Sequence, residues 1–305
     1  MKTSLEEKFV DLKDPGIWRF MVEGEQLYPQ DAVDFSMNQQ RAFYDTYSAY
    51  FRKPRPAGVE AVDFTVGRIA CRRYVPAKIA KNTSLLYLHG GGFVVGGLES
   101  HDDICAELAI GAGVTTTAVQ YRLAPEHPFP AALEDCWAVL KHLAANGQQI
   151  VVAGDSAGGN LAAALCLKAR DEGGPAIKGQ VLIYPGLGGD ISQGSYISQS
   201  EAPGLSTKDV LYYRDIYKGG GHAYAEPLKA QSHAALPQAF MVAAELDPLH
   251  DDCEAYATKL KTHGIAAEVR HEPLLVHSFL RARHMSSPAS ESFNAIIAAI
   301  KRFAA

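Results

Sequence analysis

The chain has 305 residues, of which 47% are apolar, 9% aromatic and 21% charged, and these fractions argue against extended disorder and fibrous repeats. With 29 Lys+Arg against 34 Asp+Glu, the formal charge of -5 gives no electrostatic footprint for nucleic acid or an anionic membrane. The longest unbroken apolar run, Leu161–Leu167, is far shorter than the about 20 residues a spanning helix needs, so no membrane insertion is expected.

The N-terminus, MKTSLEEKFVDLKD, is polar and acidic and lacks the apolar run of about 7–15 residues that a secretory signal requires. A helical pattern around Phe35–Phe51 ends at Lys53-Pro-Arg-Pro56, whose two prolines stop a helix. Residues 1–58 therefore read as a segment apart from the rest of the chain. Val62–Val66 and Ile69–Val75, separated by Gly67, predict a hairpin.

From there apolar runs alternate with helical stretches. Leu85–Leu88 predicts a strand, with a helix near Asp102–Ala112. Val114–Val119 is the next strand, with a helix near Ala131–Ala145. Ile150–Ala153 leads into a helix reaching about Arg170, and Val181–Tyr184 comes next as a strand. This alternation predicts an α/β fold, a mostly parallel sheet covered by helices on both faces.

The alternation breaks at Pro185. Residues 186–225 are rich in Gly, Ser and Tyr and hold no sheet strand. It resumes with a strand at Ala239–Ala244, a helix near Asp251–His263, a strand at Ala267–His271 and a helix near Ser290–Phe303. The expected organisation is a catalytic core over 59–305, with 1–58 and the 186–225 insertion forming a helical cap.

The strongest local signal is Gly154-Asp155-Ser156-Ala157-Gly158, a G-x-S-x-G sequence between a predicted strand and helix. A nucleophile elbow needs that context. Its turn strains the nucleophile's backbone, so small residues are required two places before and after it. The second signal is His89-Gly-Gly-Gly-Phe93, directly after a strand. Adjacent glycines leave N–H groups unobstructed, so Gly91 and Gly92 are assigned as oxyanion donors, with Ala157 as the third. No phosphate-loop spacing is present, and His89 reads as a loop organiser.

On such a sheet the triad runs Ser, acid, His in chain order. Asp247 comes after the Ala239–Ala244 strand and is favoured over Glu245, Asp251 and Asp252. The last two lie where a helix begins, where acids serve the dipole and the cap. His277 lies in the loop expected after the Ala267–His271 strand and is favoured over His271 and His284. Ser156, His277 and Asp247 would form an acyl-enzyme and release it with water, with no metal or organic cofactor.

These motifs resemble the hormone-sensitive-lipase-like family of α/β-hydrolases, on His89-Gly-Gly-Gly-Phe93, Tyr121-Arg-Leu-Ala-Pro-Glu126, Phe129-Pro-Ala131, Gly154-Asp-Ser-Ala-Gly158, Tyr184-Pro185, Asp247-Pro-Leu249 and His277-Ser-Phe279. Within it, Gly97–Asp102, Asp247–Asp252 and His277–Met285 resemble bacterial acetyl esterases. The resemblance implies a carboxylesterase for short acyl esters, acetyl to about hexanoyl, with a helical cap. Ser278 departs from many relatives, which carry Gly there.

An amide-directed hydrolase of the same fold is the alternative, and a non-enzymatic binding module is less favoured because all three triad candidates are present. Arg122 is expected to pair with Glu126 and pin a loop. Phe93, Tyr28, Phe35 and Tyr212 are candidates for the substrate pocket. The expected partners are a small ester and water, with the chain a monomer or homodimer. Cys71, Cys105, Cys136, Cys166 and Cys253 are scattered and odd in number, which favours reduced thiols in the cytoplasm.

Overall fold

A computed structural model describes residues 12–29, 31–79 and 83–305. Residues 1–11 of the N-terminal segment, with most of the MKTSLEEKFVDLKD stretch, lie outside them.

Eight strands form one sheet: β1 (Val59–Val66), β2 (Ile69–Pro76), β3 (Thr83–Leu88), β4 (Thr115–Val119), β5 (Gln149–Asp155), β6 (Ile177–Ile183), β7 (Ala239–Leu246) and β8 (Ala267–Val276). Their spatial order is β1-β2-β4-β3-β5-β6-β7-β8. β1 and β2 form the antiparallel hairpin, and β2 also runs antiparallel to β4. All other pairs are parallel. The fold is that of an α/β-hydrolase.

The pleat sorts the core into two layers, because successive side chains point to opposite faces. Leu85 and Tyr87 of β3, with Val151 and Ala153 of β5, face one layer. That layer is closed by helices α3 (Asp102–Ala112) and α9 (Ser287–Ala304). Leu86 and Leu88, with Ile150 and Val152, face the other. It is closed by α4 (Ala131–Ala145), α5 (Ala157–Asp171) and α8 (His250–Thr262). Strands buried on both faces explain why the central segments read as unbroken apolar runs rather than alternating ones.

β8 is longer than its sequence suggests. Glu272-Pro273 reads as a strand end, yet the strand continues to Val276. It lies at the sheet edge, where the missing N–H of a proline need cost no ladder bond. His277 therefore comes directly after the strand instead of lying within a loop.

Among the described residues, two α-helices precede the sheet. α1 (Pro15–Leu27) starts with Pro15, and the Asp14 carboxylate accepts from Ile17 N–H at 2.7 Å. α2 (Met37–Phe51) is opened by a capping box between Ser36 and Gln39. Both pack against the 3₁₀ turn Phe279–Ala282 just beyond His277. The 186–225 stretch contributes the short helix α6 (Ser195–Ser198) and α7 (Thr207–Tyr217). Its ends are tied together by one side chain, since Asn160 Nδ2 donates to Gly186 O at 2.7 Å and Ala225 O at 2.8 Å.

The Tyr121–Glu126 loop is held differently from expectation. Arg122 forks onto Asp135 of α4, while Glu126 accepts two bonds, at 2.9 and 2.6 Å, from Arg41 of α2. Arg41 also donates to Val94 O and Ala124 O, so it fastens the N-terminal helix to the sheet's loops.

Candidate active site

Ser156 stands between β5 and α5 at φ 54, ψ −119. That region costs a non-glycine residue about 1–3 kcal/mol and persists only where the surroundings enforce it. Here the end of β3 runs directly beneath the turn. A Cβ at Gly158 would lie 1.9 Å from Leu88 O, so the backbones could not approach as they do with any larger residue. The Ser156 N–H is held by Ile183 O at 2.9 Å.

The turn directs the hydroxyl to His277. Ser156 Oγ lies 3.0 Å from His277 Nε2, and His277 Nδ1 lies 2.6 Å from Asp247 Oδ2. A carboxylate can only accept, so Nδ1 carries the proton and Nε2 is free to accept from the serine hydroxyl. Asp247 is 0% exposed, and its other oxygen accepts Leu249 N–H at 2.9 Å. Both carboxylate oxygens are thus committed, which fixes the plane of the imidazole.

The rival residues have other partners. Glu245 accepts from Leu274 N–H, Asp251 from Ser195 N–H and Asp252 from Leu187 N–H. His271 is exposed between His250 and Glu254, and His284 is exposed on Glu107.

The glycine loop is held by a buried network. Asp155 Oδ1 accepts from Tyr87 Oη at 2.7 Å and Gly90 N–H at 3.0 Å, and Oδ2 lies 3.3 Å from His101 Nε2. Burial opposes the charge on Asp155. His101, Tyr87 and the nearby Arg281 outweigh it and hold the carboxyl well below the usual range. Tyr121 stacks on His89 at 4.1 Å between ring centroids and donates its hydroxyl to His89 O. Burial, with His101 adding to it, pushes the His89 imidazole down to about 3, so it stays neutral. Its Nδ1 lies 2.7 Å from Gly90 O, and a neutral ring can donate from that nitrogen. His89 organises the loop.

Two cavities meet at Ser156. One of about 330 Å3 is lined by Gly91, Gly92, His277 and Ser278, with Phe20, Tyr28, Tyr44 and Tyr47 from the N-terminal segment. The other, about 80 Å3, is lined by Phe93, Ala157, Asn160, Val210 and Tyr217. Phe93 stacks on Tyr217 at 3.7 Å. Ala157 opens α5, where backbone N–H groups lack intrahelical partners.

Two pocket candidates lie elsewhere. Phe35 is exposed, edge-on to Phe43, and lines neither cavity. Tyr212 also lines neither, and its hydroxyl accepts from Gln40 Nε2 at 2.6 Å. Sequence reasoning missed Tyr44, Tyr47, Leu205 and Tyr213, which do line a cavity. Helical spacing alone does not say which aromatic of a cap helix turns inward.

Ser278 takes φ 63, the left-handed region that favours glycine, so the residue after His277 bears strain. All five cysteines are buried free thiols. Among the described residues no group of three or more His, Cys, Asp or Glu could hold a metal ion, and no helix is long and apolar enough to cross a membrane.

A family model described as an alpha/beta hydrolase fold matches residues 85–281. Esterase LipI of Mycobacterium tuberculosis is 39% identical over 256 residues, spanning 79% of this chain and 80% of the relative. The acetyl esterase of Salmonella typhi is 30% identical over 282 residues, 87% of this chain and 86% of the relative. A solved esterase of the bacterial hormone-sensitive lipase family superposes with a TM-score of 0.89 over 96% of this chain and 99% of its own. At 24% identity that last likeness speaks for the fold.

Proposed function

The chain belongs to the α/β-hydrolase family and is a carboxylic ester hydrolase, and from that premise we propose that it cleaves short-chain acyl esters through a Ser156–His277–Asp247 triad. The observation that carries the reading is the continuous chain Asp247–His277–Ser156, at 2.6 and 3.0 Å, ending where two cavities meet.

The Ser156 hydroxyl attacks the ester carbonyl while His277 Nε2 takes its proton. Asp247 holds the ring's tautomer and stabilises the imidazolium. The carbonyl oxygen becomes an oxyanion against the N–H groups of Gly91, Gly92 and Ala157. Collapse expels the alcohol with the proton from His277 and leaves an acyl group on Ser156. Water, deprotonated by His277, then releases the acid.

The departing oxygen must lie near His277, which lines only the larger cavity. The alcohol side of the ester therefore belongs there, and the acyl chain on the opposite side, in a compartment roughly a quarter of the volume. That inequality supports a short acyl chain, acetyl to about hexanoyl. Residues 1–58 and 186–225 act as a two-part cap, because α1, α2 and α7 supply much of the larger cavity's wall. Five buried free thiols support a reducing, cytoplasmic address.

The test is a p-nitrophenyl ester series from acetate to laurate, with p-nitroacetanilide as the amide arm. Turnover should fall sharply beyond hexanoate, exceed that of the anilide, and vanish in Ser156→Ala. A laurate preference or an active Ser156→Ala would refute the reading.

A further inference from the structure

Four residues line both cavities: Gly92, Ser156, Leu205 and Tyr213. Gly92 has no side chain and Ser156 is the nucleophile. The partition between the compartments is therefore built by Leu205 and Tyr213.

Tyr213, on α7, is the larger of the two and is fixed at several points. Its ring packs so close to the oxyanion loop that a Cβ at Gly92 would fall 2.5 Å from it. Its hydroxyl shares a hydrogen bond with Tyr28 Oη at 3.3 Å. Tyr212 meets it edge-on at 5.4 Å. A ring pinned to the loop on one side and to the N-terminal segment at its tip cannot swing aside without breaking both contacts.

We propose that Tyr213 is the residue that sets how this enzyme distributes bulk across the ester bond. It closes the small compartment against acyl groups that branch or carry a ring, and it sends the bulk of the substrate to the alcohol side. There Phe20, Tyr28 and Tyr47 offer aromatic surface. The substrate class that fits is a small acyl group on a bulky, aromatic alcohol. The inference rests on the esterase reading and on the assignment of the alcohol to the cavity lined by His277.

Benzyl acetate and methyl phenylacetate test it, because they are isomers that leave as alcohols of closely matched acidity. The first places the ring on the alcohol and the second on the acyl group. The wild-type enzyme should favour benzyl acetate by about tenfold or more in kcat/KM, the scale on which a hydrophobic pocket discriminates a few atoms. Tyr213→Ala should lower that ratio about tenfold, through gain on methyl phenylacetate. Tyr213→Phe keeps the ring, loses only the bond to Tyr28 and should keep the ratio.

Leu205→Ala opens the same partition from its other side and should move the ratio in the same direction, which carries the test if Tyr213→Ala does not fold. Wild-type preference for methyl phenylacetate overturns the proposal. So does a ratio that neither alanine variant moves while p-nitrophenyl acetate is still hydrolysed. A wild-type protein inactive on every ester refutes the esterase reading instead.

Discussion

Asp155 is the side chain whose removal should separate the proposed triad from the proposed oxyanion loop. It touches neither Ser156 Oγ nor His277 in its hydrogen bonds, yet it anchors Gly90 N–H, one residue before the assigned donors Gly91 and Gly92. Asp155→Ala leaves Tyr87 Oη, Gly90 N–H and the His101 ring without their acceptor in a buried site. Each orphaned donor costs about 1–3 kcal/mol, so the expected loss of stability is about 3–6 kcal/mol, allowing some relaxation. The freed loop should also lose donor alignment, and one misplaced oxyanion donor costs about 10²–10³ in kcat. Asp155→Asn retains an oxygen for Tyr87 and Gly90, and its amide can donate to His101 Nε2, so it should recover most of both losses. The assays are urea denaturation and kcat on p-nitrophenyl acetate for the three proteins. Asp155→Ala with kcat within about twofold of wild type would refute the anchoring argument. So would Asp155→Asn being as impaired as Asp155→Ala.

Asp252 is buried, and burial pushes its carboxyl up to about 6, against partial compensation from Leu187 N–H and the Arg214 charge. A folded-state value above the unfolded one means its contribution is full below about pH 4 and lost as pH rises through 6. The stability of wild type relative to Asp252→Asn should therefore drop by about 3 kcal/mol between about pH 4 and 7, and a gap flat across that range in urea titrations would contradict it. Gly92→Ala drives a Cβ into the Tyr213 ring at φ 60, so kcat should fall about 10²-fold. Activity within about twofold of wild type would show that the loop tolerates the side chain. Arg281→Lys should cost about 2–4 kcal/mol in urea denaturation, because an ammonium lacks the planar fork whose two nitrogens reach Ser100 O and Tyr44 Oη. A change below about 0.5 kcal/mol would sink that reading.

The candidate site residues were legible because their constraints are local or obey chain order. Ser156 is marked by small neighbours, and Gly158 has to be glycine because Leu88 O lies where its Cβ would be. Asp247 and His277 come after consecutive parallel strands, so sequence order alone brings them to one edge of the sheet. The N-terminal helices and the 186–225 stretch were less legible. Tyr212 and Tyr213 are adjacent, and a step of about 100° around a helix sends one to Gln40 and the other to the cavity. Nothing in the sequence tells which. Arg122 has Glu126 near it along the chain, yet Asp135 on α4 offers a fork that the folded backbone brings within reach. At β8, Pro273 looked like a stop because the strand's edge position is a property of the whole sheet.

The pieces missed are also the ones that join the N-terminal helices to the candidate site. Arg281 stands four residues beyond His277, and its guanidinium lies over the Tyr44 and Tyr47 rings at 5.3 Å each. Those two rings line the larger cavity, while the Arg281 charge also helps keep Asp155 ionised. Asp155 in turn holds the oxyanion loop through Gly90. Tyr213 presses on that loop from the other side, and Arg41 ties α2 to Val94 O just beyond it. A displacement of the N-terminal helices would then disturb two things together, the shape of the larger cavity and the geometry of the loop that carries the proposed oxyanion donors. Substrate fit and rate should for that reason vary together when these helices are altered, in contrast to helices that merely cover a finished active site.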